Sequence, residues 1–447
     1  MRRSIFLAVL YLAVFTPFFQ AHAADDLATR LNALETELGR QSEVISQQQQ
    51  TIHSLQQELS RIKTPEVQPA QQNAPPPAGA SGFFGASALT NPNLSLVLDS
   101  FAHTSDLEDD EIESQGIPGF TINGLEQRNG FNLRAAELFL FAPVDPYFNL
   151  YAALPVTEDG VELEEVYAVT TALAEGWQVK GGKFKSNFSR LDAQHPHAWD
   201  FYDIALPYRA FLGGEGLGGE KGVQLSWLPA WPIYTQFGAE VFQGENDLLF
   251  GADAGSGPHA YSLFVKNSID TTDNTTLYFG PSVLFGKTRN SNLAADAELT
   301  GDSALYGLEA VWKWKPSNSR KVTLQSEYLY LDQDGDLTDA ATAQVDSLRR
   351  RQDGFYLQGT YQWNRWRFGA RYDMLELFAD SFERAGQEQA LGKTPWRSTG
   401  AIEYNLSEFT RIRLQYNHDR SSRDDRDNNE AILQFLYGIG AHAAHSF

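Results

Sequence analysis

The sequence predicts an all-β fold, a transmembrane antiparallel β-barrel of about 16 strands, preceded by a periplasmic α-helical coiled coil. Three observations carry this reading. From residue 83 onward the chain is a series of short runs that alternate apolar and polar residues with period two. That is the pattern of strands with one dry and one wet face. Between Leu27 and Ile62 the apolar residues recur on a heptad instead, which is a coiled-coil seam. Beyond residue 23 no apolar run reaches the roughly 18 residues that a spanning helix needs.

The elements follow in chain order. Arg2 and Arg3 precede the apolar run Ile5 to Phe19, which leads into Ala21-His22-Ala23. A charged start, a short apolar stretch and an A-x-A site mark a secretory signal peptide over 1–23. Residues 24–63 are expected to form the coiled coil. Leu31, Leu38, Ile45, Ile52 and Leu59 fill one seam position; Leu27, Leu34, Gln41, Gln48, Leu55 and Ile62 fill the other. Gln41 and Gln48 cost stability there but fix register. The rod would be roughly 55 Å long. It implies an oligomer, expected as a homotrimer. Residues 64–82, TPEVQPAQQNAPPPAGASG, read as a semi-extended proline-rich linker.

Residues 83–447 supply the barrel. Val223, Leu225 and Trp227 share a face against Gln224 and Ser226. Phe355, Leu357, Gly359, Tyr361 and Trp363 lie opposite Tyr356, Gln358, Thr360 and Gln362. A soluble sandwich would also alternate. Aromatics at run ends, as in WLPAWPIY and QWNRWRF, and arginines on the polar face favour the membrane barrel. So does the closing stretch AILQFLYGIGAHAAHSF, which alternates up to Phe447. Lipid leaves no backbone group unpaired, so the last strand is expected to close on the first. Asn364-Arg365 and Leu406-Ser407-Glu408 are expected as periplasmic turns, and 104–130, 332–353 and 419–429 as outer loops. DQDGD, Asp332 to Asp336, resembles the start of a calcium loop but lacks the closing glutamate, so it reads as a turn. A barrel of about 16 strands encloses an aqueous channel.

Composition removes several functions. Asp and Glu number 57 against 35 Lys and Arg, a net charge of −22, so nucleic acid is not an expected partner. The chain has no cysteine, which excludes disulfides, thiolate metal sites and cysteine nucleophiles. No G-x-S-x-G motif occurs, and no enzymatic activity is expected.

Two groups of residues are candidates for function. Arg365, Arg367 and Arg371 fall on the polar register of one run, and Arg411 and Arg413 on that of another. They are expected to line the pore, where ladders of arginine favour anions. The second group is RLDAQHPHAWDFYDIALPYRAFLGG, Arg190 to Gly214, in a long break between strands. Arg190, His195, His197, Trp199, Asp200, Asp203 and Arg209 would shape a folded-in constriction loop. Alternatively, His195, His197, Asp200 and Asp203 would hold zinc or another divalent cation, although their spacing matches no closed zinc motif. No other cofactor is expected.

That stretch, with VDPYFNLYAALP, VELEEVYAVTT and GIGAHAAHSF, resembles a family of bacterial outer-membrane proteins. Its members are described as porin-like, or as zinc-regulated or TonB-dependent outer-membrane receptors. The resemblance covers most of residues 90–447 and is strongest over 140–230. It implies an outer-membrane β-barrel with a transport role. The TonB-dependent label fits poorly, since such receptors have about 22 strands and a plug inside the lumen. The function expected is an outer-membrane porin for passive diffusion of small polar or anionic solutes. Its partners would be membrane lipid, the solutes and sister copies. The alternatives are zinc-linked metal uptake, or a barrel that anchors a structural coiled coil.

Overall fold

The computed structural model describes residues 92–440, apart from 123, 126, 294, 295, 424 and 425. The expected signal peptide, coiled coil and linker, and the final residues 441–447, lie outside the described residues. The first eight strands are β1 Asn93–Ser105, β2 Gly130–Pro143, β3 Phe148–Val156, β4 Glu165–Thr170, β5 Trp177–Lys185, β6 Gly219–Trp227, β7 Tyr234–Phe242 and β8 Ala260–Thr272. The rest are β9 Thr275–Asn290, β10 Ala297–Ser317, β11 Arg320–Asp339, β12 Val345–Trp363, β13 Trp366–Arg384, β14 Trp396–Asn405, β15 Thr410–Asp419 and β16 Asn428–Gly440. A two-residue strand, Gln387–Glu388, folds back on the end of β13. Each main strand pairs antiparallel with the next. β1 pairs with β16 from Ser95↔Gly440 to Ser105↔Glu430, which closes the sheet.

Closure and alternation have one cause. In hydrocarbon every peptide group must find its partner within the protein, and a closed sheet leaves no edge. The side chains then divide with period two. On β15, Leu414 and Tyr416 are each 52% exposed, while Arg413, Gln415 and Asn417 between them are 1% exposed. On β16, Leu433, Tyr437 and Ile439 face out and Glu430, Gln434 and Leu436 face in. The apolar side therefore meets lipid and the polar side the interior.

The two ends of the barrel differ. One end carries short connections, among them 273–274, 318–319, 364–365 and 406–409; the other carries long ones, among them 106–129, 186–218, 243–259 and 420–427. Tryptophan marks the turn end. Trp177, Trp227, Trp231, Trp312, Trp314, Trp363 and Trp366 all lie in or next to its turns. Trp177 stacks on Trp227 with ring centroids 5.6 Å apart, and Trp366 sits 4.7 Å from Tyr404. Amphipathic rings at one depth form an interfacial belt.

The stretch 332–353 is not a loop. Asp332 to Asp339 continues β11 and pairs with Val345 to Arg351 of β12, so DQDGD lies within a strand and the loop is only 340–344. β10 to β13 hold 19 to 21 residues each. A strand needs only about 9–11 residues to span the bilayer, so these hairpins rise beyond it. Their outer halves have no lipid to face. They carry polar residues on both sides, with exposed cross-strand pairs such as Lys287–Asp302 and Arg351–Asp332. A small apolar cluster, including Leu299, Leu337 and Leu348, stiffens them from within.

Replacing Leu414 with Arg puts a charge on the lipid side of β15. The barrel should lose about 2–4 kcal/mol, provided the site lies near the bilayer midplane. Chemical unfolding in liposomes measures this. An unchanged midpoint would place the residue in water.

Candidate functional site

Residues 186–218 connect β5 to β6, yet many of their partners lie on the opposite wall. Arg367 of β13 donates to Asp200, and Arg371 donates to Asp203 at 2.9 Å. Arg397 of β14 lies 2.8 Å from Asp203, and its guanidinium donates to the Ile204 carbonyl at 2.6 Å. Arg411 and Arg413 of β15 donate to the carbonyls of His197 and Trp199. The Tyr202 amide donates to Gln415 at 2.7 Å. A loop bonded to strands across the barrel lies inside the lumen.

The chain folds this way for local reasons. Pro196 opens a short 3-10 turn, Pro196–Ala198, and Pro207 sits in the first turn of a helix, Leu206–Phe211; proline's fixed φ suits both places. The helix is buried all round. Leu206, Tyr208 and Phe211 join one apolar cluster with Leu305, Leu329, Leu331 and Tyr356, all facing inward from β10, β11 and β12. Two wall glycines make room. A Cβ on Gly369 would come 3.0 Å from the Phe201 ring, and one on Gly354 would come 3.1 Å from Pro207. The loop is thus held apolar side to β10–β12 and polar side to β13–β15.

The charges on the polar side are matched. Asp203 takes Arg371 and Arg397, together with Gln415 at 2.7 Å and Asn417 at 3.2 Å. Asp373 takes Arg371 and Arg397, each at 3.1 Å, and Glu403 takes Arg413 at 2.7 Å. Burial alone would raise the Asp203 carboxyl, but Arg371 and Arg397 outweigh it and hold it below its ordinary range. The guanidiniums pin the loop, at some cost in desolvation.

A second contact region joins the loop to β2, β4 and the turn before β4. The His195 Nδ1 lies 3.0 Å from Glu164 and 3.2 Å from Glu137, and its Nε2 lies 2.8 Å from Glu165. His197 Nδ1 lies 3.0 Å from the other oxygen of Glu137. Lys185 lies 2.9 Å from Glu164. Burial would lower the His195 pKa, but the three carboxylates raise it to about 10. This pocket stabilises a cation.

The expected site residues therefore divide. Arg367, Arg371, Arg411 and Arg413 all face inward, and each is bonded to the loop. Arg365 does not share their register: it lies in the exposed turn before β13. The four-residue metal set does not assemble. His195 and His197 share Glu137, whereas Asp200 and Asp203 are taken by arginines on β13 and β14. Arg190 donates to Gln325 at 3.2 Å, Trp199 donates to the Leu191 carbonyl at 3.3 Å and Arg209 donates to the Gln115 carbonyl at 2.9 Å. Each of these fastens the loop. Glu137, Glu165, Asp373, Arg397 and Glu403 were not singled out from sequence. Their period-two registers are the signal that could have placed them inward, but only the loop shows what they face.

Asp203→Asn would leave two buried guanidiniums short of a counter-charge, which costs about 3 kcal/mol or more for a buried pair. Larger and noisier single-channel conductance is the expected result. A carboxylate held low stabilises above its ordinary pKa of 3.8 and stops doing so as pH falls below it. Wild-type protein should therefore approach the variant's behaviour in strong acid. Identical traces from both proteins at pH 7 would contradict this role.

No family model matches the chain. An uncharacterized protein of Aquifex aeolicus (strain VF5) is 40% identical over 384 residues, covering 80% of each chain. Among solved structures, the outer membrane channel DcaP of Acinetobacter baumannii superimposes with a TM-score of 0.50 at 12% identity, over 79% of this chain and 99% of that one. An anion-selective porin from Comamonas acidovorans reaches 0.48 at 8% identity, over 78% and 100%. At such identity the DcaP likeness speaks for the fold alone, a porin-type barrel, and the weaker superposition adds no argument. The 40% identity over most of both chains decides kinship: this chain belongs to the same family as the uncharacterized Aquifex aeolicus protein.

Proposed function

We propose that the protein is an outer-membrane channel for passive diffusion of small polar solutes, with a preference for anions. One observation carries this reading: a loop is built into the lumen and fastened to both walls. A barrel that served only as an anchor would have no use for a lumen so elaborately divided. The loop narrows the passage, so conductance should be small.

The anion preference rests on charges at the turn end. Lys313, Lys315 and Lys321 continue the inward registers of β10 and β11, and Arg367 and Arg411 those of β13 and β15. Arg190 and Lys321 lie in the electrostatic neighbourhood of Lys313. Asp200 and Glu403 are the carboxylates among them. Farther in, the arginines are matched by acids, so the turn end is where an anion would gain. Arg365, in the turn itself, adds charge to the same mouth. Metal uptake is the second reading, and the His195 cluster is what favours it.

Reversal potentials across a bilayer under a salt gradient test the preference. Anions should permeate better than cations, and a Lys313→Gln/Lys321→Gln double variant should lose most of that bias. Cation preference in the wild type would remove the reading.

The heptads of residues 24–63 support assembly as a homotrimer, with the coiled coil in the periplasm after signal peptide 1–23 and linker 64–82. Native mass spectrometry of the detergent-solubilised protein should give three chains per particle. Deleting 24–63 should weaken the assembly while leaving conductance. A wild-type monomer would contradict it.

A further inference from the structure

We propose that Glu137, Glu164 and His195 form a binding site for one first-row divalent cation of the Zn²⁺ type, which clamps the inward loop to the barrel wall. This inference does not depend on the channel reading. The ligand atoms come from three elements: Glu137 from β2, Glu164 from the turn before β4, and His195 from the loop. Glu137, Glu164 and His195 are buried and each offers an atom within 4.8 Å of the others.

The separations suit a metal. His195 Nδ1 is 3.0 Å from Glu164 Oε2 and 3.2 Å from Glu137 Oε1, while His197 Nδ1, 3.0 Å from Glu137 Oε2, steadies that carboxylate from its other side. Bonds of about 2.0–2.2 Å in tetrahedral geometry hold ligand atoms roughly 3.3 Å apart. Only a small relaxation would admit the ion.

A second observation shows spare ligand capacity at the site. Glu137 Oε1 is buried and accepts no well-aligned hydrogen bond; its one close cationic neighbour is the His195 ring 3.2 Å away, and its side chain is 8% exposed. It aims at the histidine nitrogen that would bind the same metal. The outer side of the imidazole is already arranged. Glu165 lies 2.8 Å from His195 Nε2, so it can take that N–H and turn Nδ1 toward the ion. Such carboxylate–histidine pairs orient metal-binding imidazoles.

Charge balance agrees. Once an ion has displaced the His195 proton, Glu137, Glu164 and Glu165 against Lys185 leave the cluster two charges negative, and one dication closes that deficit. Mixed carboxylate and imidazole donors suit zinc and its neighbours better than calcium or magnesium. Binding would displace any proton held on Nδ1. A cavity of about 50 Å³, lined among others by Asp99, Glu137, Glu162, Glu164 and His197, adjoins the cluster and gives the ion a way in.

The test uses the full-length mature protein in detergent, stripped with chelator and titrated with ZnCl₂. The expected result is one more tightly bound ion per chain in wild type than in Glu137→Gln/His195→Gln. A His259→Gln control, whose ring contacts only the carbonyls of Gly257 and Gly251, should match wild type. Equal stoichiometry in all three proteins would overturn the proposal, because histidines elsewhere would then account for the binding. Should the double variant misfold, anomalous scattering at the zinc edge from wild-type crystals decides. A peak between Glu137, Glu164 and His195 supports the site, and zinc found only elsewhere, or none, overturns it.

Discussion

A peptide group in hydrocarbon has no water to bond, and the architecture follows from that deficit. It forces the sheet to close, which is why β1 takes β16 as a partner over Ser95 to Ser105. Closure creates an inside and an outside, and period two assigns every residue to one of them. The outside had to become apolar, and so the polar residues of each strand were sent inward. An interior lined with Asp, Glu, Lys and Arg then needs partners for them, and much of that need is met by the loop 186–218. Asp203, for instance, neutralises arginines from two separate strands.

The loop is asymmetric in the same sense. Its apolar half is packed against β10–β12, where Leu305, Leu329 and Leu331 face inward. Its polar half meets arginines and glutamates. Neither half alone would hold it in mid-lumen. Apolar packing without the ion pairs would leave buried charges on β13–β15 unmatched, and ion pairs without packing would leave the loop to be solvated and to drift. The two attachments together make a partition across the inside of the barrel.

Much of this was legible in the sequence, and the reasons are specific. Each of the sixteen main strands corresponds to a period-two run, because lipid selects for that alternation along a whole strand. It failed where lipid ends. The outer halves of β11 and β12 set Asp332 against Arg351 and Asp334 against Arg349, and with water on the outside they show no apolar outward face to read. Arg365 was misplaced because counting in twos continues through a turn while the backbone does not. The inward position of the loop was beyond local reading altogether. Its bonds to the far wall join residues distant in sequence, as with Gln358 to Asp200, 158 positions apart, and Asn417 to Asp203, 214 apart. The pairing of His195 with Glu137, Glu164 and Glu165 was hidden for the same reason. VELEEVY shows adjacent acids but not the ring that fills the space between them.

The central claim is that the Trp-, Leu- and Tyr-bearing side of the strands touches lipid while the loop stays out of its reach. Tryptophan quenching by brominated phospholipids tests it most directly. Eight of the nine tryptophans lie on outward registers or in belt turns, and Trp199 is buried in the loop. Reconstituted protein should lose most of its emission to bromines placed near the headgroup, leaving a residual signal that Trp199→Phe abolishes. Emission unaffected by brominated lipid at any depth would mean that no acyl chain touches these strands, and the barrel would not be a membrane barrel.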